Sequence, residues 1–407
     1  MENQTKNYIQ KRCDHYKNKL PNCPICIKRN TKFNFKNKFI KESFFGSSPA
    51  PFIGRFNYPN VNVGILSPQI QSEKNWIYDN PKFWAKHNLS ISSIASLRSE
   101  LINSRTNINV KDNLKKFKDI GKEIGMAYKP VDVEINLKNK PFFSTSYDNF
   151  SSPLGPNAEI KNAKITENPK IHKKVDKVND DIYLKASEAI NYLYKNNFDE
   201  NFLTKALSVG TFGLKKDRKL VPTRWSITAT DDLISKNLIK KVKDFKTKNY
   251  EAFFGNHLGN YYLFLLIPDL WKYELFEIAV DNKFQNQSFQ YSTDFENFSG
   301  RKEYAKETAG GYYSVRLALL EHLVKYKKQA SVLVFRFITD EYTVPLGVWV
   351  TREAARNSLN NKSIQFHSLD LMLKYALALS KRKFGLDLSI LIKKSKLIDS
   401  LKQRKLI

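Results

Sequence analysis

Two stretches of the chain concentrate side chains that could hold an anion or cover a base. The first runs from Arg218 to Asp232 and contains Arg218, Lys219, Arg224, Trp225, Asp231 and Asp232. The second runs from Gly300 to Arg316 and contains Arg301, Glu307, a Gly310-Gly311 pair, Tyr312, Tyr313 and Arg316. Guanidinium forks match phosphate geometry, and aromatic faces stack on unpaired bases. Groups of this kind are costly to bury without partners. A chain that clusters them either pairs them internally or presents them to a ligand. In the ligand reading, Arg218, Lys219, Arg224, Arg301, Arg316 and Arg336 line a nucleic-acid site, and Trp225, Tyr312 and Tyr313 stack on bases. In the internal reading, the arginines sit in buried ion pairs.

The carboxylates open a second chemistry. Asp231, Asp232, Glu307 and Glu341 could hold a Mg or Mn ion beside those arginines, and paired metals stabilise the attacking and leaving oxygens of phosphoryl transfer. That would make the protein a nuclease or another nucleotide-processing enzyme. The plainer alternative has Thr230 as the N-cap of a helix over residues 233–245, with the two aspartates as first-turn partners of its dipole. His257, between Gly255 and Gly259, is a general-base candidate, but no Ser or Cys stands beside it. Asp132 and Glu134 share one face of a strictly alternating stretch, which is the usual solvated face of a half-buried strand.

Near the start, Cys13, His15, Cys23 and Cys26 form a Cys-x-His and a Cys-x-x-Cys pair. A tight turn between two such thiolates can aim both at one zinc ion, with Cys13 as a third ligand and His15 as the candidate fourth; a redox pair or free thiols are the alternatives. These are the only three cysteines, and all fall within the first 26 residues. A secreted disulfide framework would spread them, so an intracellular location is expected. The start is polar and basic with no apolar core of a signal peptide, and the longest apolar run, Tyr261–Ile267, is too short to span a bilayer.

Charge points the same way as the motifs. There are 68 Lys+Arg against 40 Asp+Glu, a formal net charge of +28. A surplus of that size attracts polyanions, although richness in Lys, Asn, Ile and Phe together can also reflect compositional drift. Clustering on one face would separate the two. Hydrophobic residues make up 41% of the chain, enough to build a sizeable core and to exclude wholesale disorder.

The elements that must position these groups are legible in part. Val61–Leu66, Val131–Leu137, Tyr261–Ile267 and Ser331–Ile338 read as strands, and Thr343–Val350 as a second strand in a hairpin with the last of these. Ile91–Arg105, residues 111–128, Asp180–Tyr194, Trp271–Val280 and Glu303–Lys325 read as helices, the last interrupted by its glycine pair. Residues 144–180 read as a long loop, and Gly210-x-x-Gly213 as a turn with a faint likeness to a backbone-clamping loop.

Long unusual runs resemble the archaeal Nre family of DNA repair proteins. They are Arg218–Ala229 with Asp231-Asp232; Gly300-Arg301, Tyr304-Ala305, Ala309–Tyr313 and Arg316–Ala318; Glu341-Tyr342, Pro345–Trp349 and Arg352-Glu353; and Phe52–Arg55 with Tyr58-Pro59. The likeness covers nearly the whole chain. It implies a role in the DNA damage response, a four-cysteine zinc finger at the N-terminus, and a C-terminal motif that docks on the DNA polymerase sliding clamp. Cys13 and Cys23 fit two of the finger's cysteines, with Cys26 and His15 as substitutes for the others. Gln403 and Leu406 fit the clamp motif, but Ile407 ends the chain where aromatics would follow, so weak or absent docking is expected. The resemblance supplies no catalytic residues. The expected architecture is α/β or α+β: a zinc-binding head over 1–30, one large mixed core over 31–394, and a basic tail over 395–407. The expected protein is cytoplasmic and nucleoid-associated and binds DNA through a basic, aromatic cleft, with an adaptor recruited to the clamp as the third reading.

Overall fold

The computed structural model describes residues 41–111, 115–142, 155–247, 249–280 and 290–402. The architecture is α+β, built on two separate six-stranded sheets.

The first sheet uses β1 (Ser43–Ser48), β2 (Ala50–Ile53), β3 (Asn60–Ser67), β4 (Ile102–Asn109), β5 (Val131–Leu137) and β6 (Asn157–Ile165), in the order β1-β5-β6-β4-β3-β2. Helices α1 (Pro81–Lys86) and α2 (Ile91–Glu100) lie between β3 and β4, and α3 (Lys115–Met126) precedes β5. Strand β5 alternates as its sequence demands. Val131, Val133, Ile135 and Leu137 are buried against Ile120 and Ile124 of α3. Asp132 on its other face accepts a hydrogen bond from Ser47 Oγ, so it serves the sheet.

A run of helices follows: α4 (Lys173–Asp180), α5 (Ala186–Lys195), α6 (Glu200–Ser208) and α7 (Thr223–Lys243). The second sheet contains β8 (Tyr250–His257), β9 (Asn260–Ile267), β10 (Lys272–Ala279), β11 (Tyr291–Glu296), β13 (Ser331–Ile338) and β14 (Ile364–Phe366), in the order β11-β10-β13-β9-β8-β14. A two-residue parallel pair joins β7 (Lys246–Thr247) to β12 (Lys328–Gln329). Helices α8 (Ala309–Lys325), α9 (Trp349–Asn360), α10 (Leu369–Phe384), α11 (Ser389–Lys394) and α12 (Lys396–Lys402) complete the described chain.

Helices cover both faces of the second sheet. Tyr262, Phe264, Leu266, Val332 and Val334 meet Ile190, Leu203, Ile234 and Leu320 from α5 to α8. Leu263, Leu265, Leu333, Phe335 and Phe337 point the other way, onto Met372, Ala376, Leu391 and Leu397. A sheet buried on both sides favours apolar residues at most positions, which is why Tyr261–Ile267 of β9 and Val332–Phe335 of β13 read as unbroken apolar runs.

The same two-sided burial explains the main departures from expectation. Trp271–Val280 forms β10, a central strand, in place of the expected helix. Its side chains serve alternate cores, Tyr273 and Leu275 on one side and Phe276 and Ile278 on the other, so no strand period survives in the sequence. Thr343–Val350 contributes no strand. Both edges of β13 are already taken, by β10 in parallel and β9 antiparallel, which leaves no place for a hairpin partner. The expected loop over 144–180 contains β6 and α4. The expected tail is folded where described: Leu397 and Ile398 are buried, and Glu274 of β10 accepts from the backbone N–H groups of Lys396 and Leu397. Gly210 and Gly213 are left-handed turn residues. No helix among the described residues is long and apolar enough to cross a membrane.

Candidate nucleic-acid interface

Helix α7 is the element on which the motif stretches converge. Its start is set by Pro222, and Ile53 of β2 donates its backbone N–H to Thr223 Oγ1 across the two halves of the fold. Thr230, expected as an N-cap, lies seven residues inside the helix and is buried, as are Asp231 and Asp232. Asp231 and Asp232 therefore sit mid-helix in the interior, where a carboxylate without a partner costs several kcal/mol.

Each aspartate has its own arginine. Both Asp231 oxygens accept from Arg352 of α9, at 2.7 Å. Arg352 also lies 3.6 Å from Glu200 of α6. Glu200 is held in turn by Arg356 at 2.8 Å and Lys82 at 3.4 Å, and Arg356 reaches on to Glu321 and Glu353. On the other side, Asp232 pairs with Arg316 of α8 at 2.5 Å and with Lys236 at 2.7 Å, and Arg316 reaches Glu296 of β11 at 2.7 Å. One pair of adjacent carboxylates thus ties α7 to α6, α8, α9 and the edge of the second sheet.

The protonation equilibria follow from burial and sharing. Burial pushes the Asp231 carboxyl up to about 6, because its single guanidinium partner is shared with Glu200. Burial alone would also raise Glu200, but Arg356, Arg352 and Lys82 outweigh it and hold Glu200 well below the usual carboxylate range. For Arg316, desolvation opposes the charge, and Glu296 and Asp232 more than offset it, so the guanidinium stays charged.

This geometry corrects much of the expected ligand site. Arg316 is only 2% exposed and Arg336 7%. Arg336 is spent on Glu277 at 2.6 Å and on Asn260 Oδ1. Arg218 donates to three backbone carbonyls, those of Gly213, Asn179 and Asp181, and so staples the loop before α7. Arg301 pairs with Asp294 at 3.0 Å and donates to the Phe295 carbonyl. Tyr312 and Tyr313 are buried, and the Tyr313 hydroxyl accepts from the backbone N–H of Ala305. The expected helix over 303–325 begins at Ala309, which puts the glycine pair in its first turn. Gly311 sits so close to the Glu277 carboxylate that a Cβ there would collide with it.

The divalent-ion reading fares no better. Asp231 and Asp232 are occupied by arginines, Glu307 is exposed, and Glu341 accepts from the Tyr261 hydroxyl elsewhere on the surface. Among the described residues no group of three or more His, Cys, Asp or Glu side chains is placed to hold a metal ion. His257 is buried beside Trp349, and burial lowers its pKa. Cys13, His15, Cys23, Cys26, Gln403, Leu406 and Ile407 lie outside the described residues.

What the fold does present is a line of exposed aromatics and cations along α7. Trp225 is 44% exposed and packs on Tyr58, their ring centroids 5.1 Å apart. Phe56, two residues before Tyr58, is 69% exposed, with the Arg55 guanidinium 5.0 Å from its ring. Exposed Tyr304 packs on Tyr313, whose ring lies beside the Arg316 guanidinium that pairs with Asp232. Toward the other end, Lys243 Nζ lies 4.2 Å over the ring of half-exposed Phe298. At about 100° per residue, positions 225, 232, 236 and 243 fall on one side of the helix, with 240 next to them. Trp225 and Lys243 at the two ends of this side lie about 27 Å apart along the axis, with buried Asp232 between them. Lys219 and Arg224 lie on the surface at its N-terminal end. Of the expected contact residues, only Lys219, Arg224 and Trp225 face solvent there. Tyr58, Phe298, Tyr304, Lys236, Lys240 and Lys243 are additions; Tyr58 and Tyr304 stand in the runs that carry the family resemblance, and Lys236 and Lys243 are signalled by their seven-residue spacing.

Family models described as Archaeal Nre, N-terminal and Archaeal Nre, C-terminal match residues 18–285 and 296–407. DNA repair protein NreA of Haloferax volcanii is 37% identical over 339 residues, covering 81% of each chain. DNA repair protein NreB of Archaeoglobus fulgidus is 33% identical over 371 residues, 90% of this chain and 92% of that one. NreA of the same organism is 34% identical over 373 residues, 89% and 92% respectively. No solved structure matches.

Two outcomes check the interior network. Arg316→Met leaves Asp232 and Glu296 without their buried cation and should lower the unfolding free energy by about 3–5 kcal/mol, whereas exposed Lys219→Met should shift it by less than ~0.5 kcal/mol; denaturant titration reads both. Asp231 binds its proton more tightly when folded than when unfolded. Its stabilising contribution is therefore fully present below its unfolded pKa, near 4, and is lost as pH rises through about 6. Asp231→Asn should then make stability climb more steeply with pH across that window than it does in the parent protein.

Proposed function

The chain belongs to the archaeal Nre family, and from that premise we propose that it acts in DNA repair by binding unpaired DNA along the exposed side of α7. The repair role is supported by the names of the relatives, each called a DNA repair protein. The mode of binding is supported by one observation: exposed Trp225, packed on Tyr58, and the lysines at 236, 240 and 243, the last over the Phe298 ring, fall on one side of α7.

The division of labour follows from chemistry. Lys240, Lys243 and the lysine-rich surroundings attract the phosphate chain without reading sequence. Trp225 with Tyr58, then Tyr304, then Phe298 offer faces on which successive bases can stack. Every base has such a face, so stacking favours single strands, gaps and frayed ends over an intact duplex, whose bases are already stacked. The buried network contributes rigidity, because a side chain fixed before binding loses less entropy on association.

A zinc-holding head belongs to the same reading. The donor set of Cys13, Cys23 and Cys26 with His15 has the charge and softness that zinc prefers, and the metal would cross-link a segment with little apolar residue of its own. Metal analysis of protein purified under reducing conditions should return one zinc per chain, absent from Cys23→Ser.

For the interface, Trp225→Ala combined with Tyr58→Ala should weaken single-stranded DNA binding by about 1–3 kcal/mol for each base left unstacked, while the thermal midpoint stays nearly unchanged. Replacing Lys240 and Lys243 with Gln should flatten the slope of log affinity against log salt by about 0.7 for each phosphate no longer neutralised. Unchanged affinity in the aromatic double variant would remove this site from the account.

A further inference from the structure

On the far side of α7 from Trp225, a cavity of about 330 Å³ opens between α5, α7 and α8. Its floor is apolar, made by Leu238 and Val324, and its rim carries Lys195, Lys241 and Lys325. Lys241 is sixteen positions from Trp225, which places it roughly opposite on the helix. None of the three ammonium groups has a carboxylate partner among the described residues; Lys325 lies only over the Tyr326 ring, 5.4 Å from its centroid. The acid in the wall, Glu321, is already satisfied. It accepts from Arg356 at 2.8 and 2.9 Å and from the Tyr194 hydroxyl at 2.5 Å. The half-buried side-chain amide of Asn237 makes no hydrogen bond among the described residues.

Each lysine stands in the last turn of its helix, where a cation offsets the negative end of the helix dipole. That accounts for each lysine taken alone. It does not account for three of them around one void, with an apolar floor beneath and an unbonded amide between. The combination is an open, mostly apolar hollow edged by cationic side chains, with a volume near the low end of the range of about 300–1,000 Å³ usual for small-molecule sites.

We propose that this cavity binds a phosphate-bearing ligand of mononucleotide size. The phosphate lies among Lys195, Lys241 and Lys325, the base lies on Leu238 and Val324, and the Asn237 amide meets the edge of the base. Asn237 can both donate and accept, so it can pair with a base edge whichever polarity that edge offers. The ligand is a free nucleotide or the terminal nucleotide of a DNA strand, which share this chemistry. The site is separate from the stacking surface on the opposite side of α7 and stands whether or not that surface binds DNA.

The test is calorimetric titration of the full chain with dAMP, with inorganic phosphate, and with a 5′-phosphorylated oligonucleotide added to a Trp225→Ala background. The proposal expects dAMP to bind, and Lys241→Glu to weaken it by roughly tenfold or more through removal of a charge-assisted hydrogen bond. Asn237→Trp, which fills the void from a half-buried position, should abolish it. Competition by the oligonucleotide would assign the site to a strand end, and its absence to a free nucleotide; either supports the site. The idea fails if dAMP and the oligonucleotide both leave the protein untouched, or if both variants bind dAMP as the parent does. It fails equally if inorganic phosphate binds as tightly as dAMP, since the floor then contributes nothing. Melting curves confirm that both variants fold.

Discussion

Two carboxylates side by side in the middle of a buried helix are the constraint to which the rest of the structure answers. Asp231 and Asp232 cannot be desolvated alone. As neighbours on α7 they face different directions, so no single cation can serve both. Arg352 comes from one helix and Arg316 from another, and each brings a further acid, Glu200 and Glu296, that must be matched in turn. Satisfying one charge recruits the next, and the chain of demands fixes how α6, α8, α9 and the sheet edge sit against α7. Such a network adds little net stability over an apolar core, but it penalises every arrangement that misplaces one partner. It specifies which packing is allowed.

That demand also explains which parts of the fold are visible in the sequence. Val131–Leu137 announces itself because one face is wet and one dry, and Tyr261–Ile267 and Ser331–Ile338 because their apolar runs are short and bounded. Lys272–Ala279 does not, since both of its faces are covered and it carries a buried glutamate, Glu274, whose partners lie 121 residues or more away. The start of α7 is hidden for a related reason. Thr230-Asp231-Asp232 has the look of a capped helix start, and only arginines brought in from distant segments make those residues tolerable mid-helix. Local pattern reports local satisfaction; a group whose partner is supplied by tertiary structure looks the same as one that meets solvent.

The candidate site shows the same division. Residue type singles out the stretches around 218–232 and 300–316, and the two meet through the Arg316–Asp232 pair. Type cannot say which members of each stretch turn inward. Arg218, Arg301, Arg316 and Arg336 are used to build, and so are Tyr312 and Tyr313. The surface is left to Trp225, to lysines that are individually unremarkable in a chain of this charge, and to Tyr58 and Tyr304, whose importance lies in what they pack against. The interior arginines still bear on function, because they hold α7 in the one orientation that lines these groups up.

The central claim is that this lined-up side of α7 is where DNA lies. Ultraviolet cross-linking of a thymine-rich single strand to the full chain, with adducts mapped by mass spectrometry, tests it without any substitution. The account predicts adducts concentrated on Trp225, Tyr58, Tyr304 and Phe298. Adducts that avoid all four and gather on another surface would contradict it.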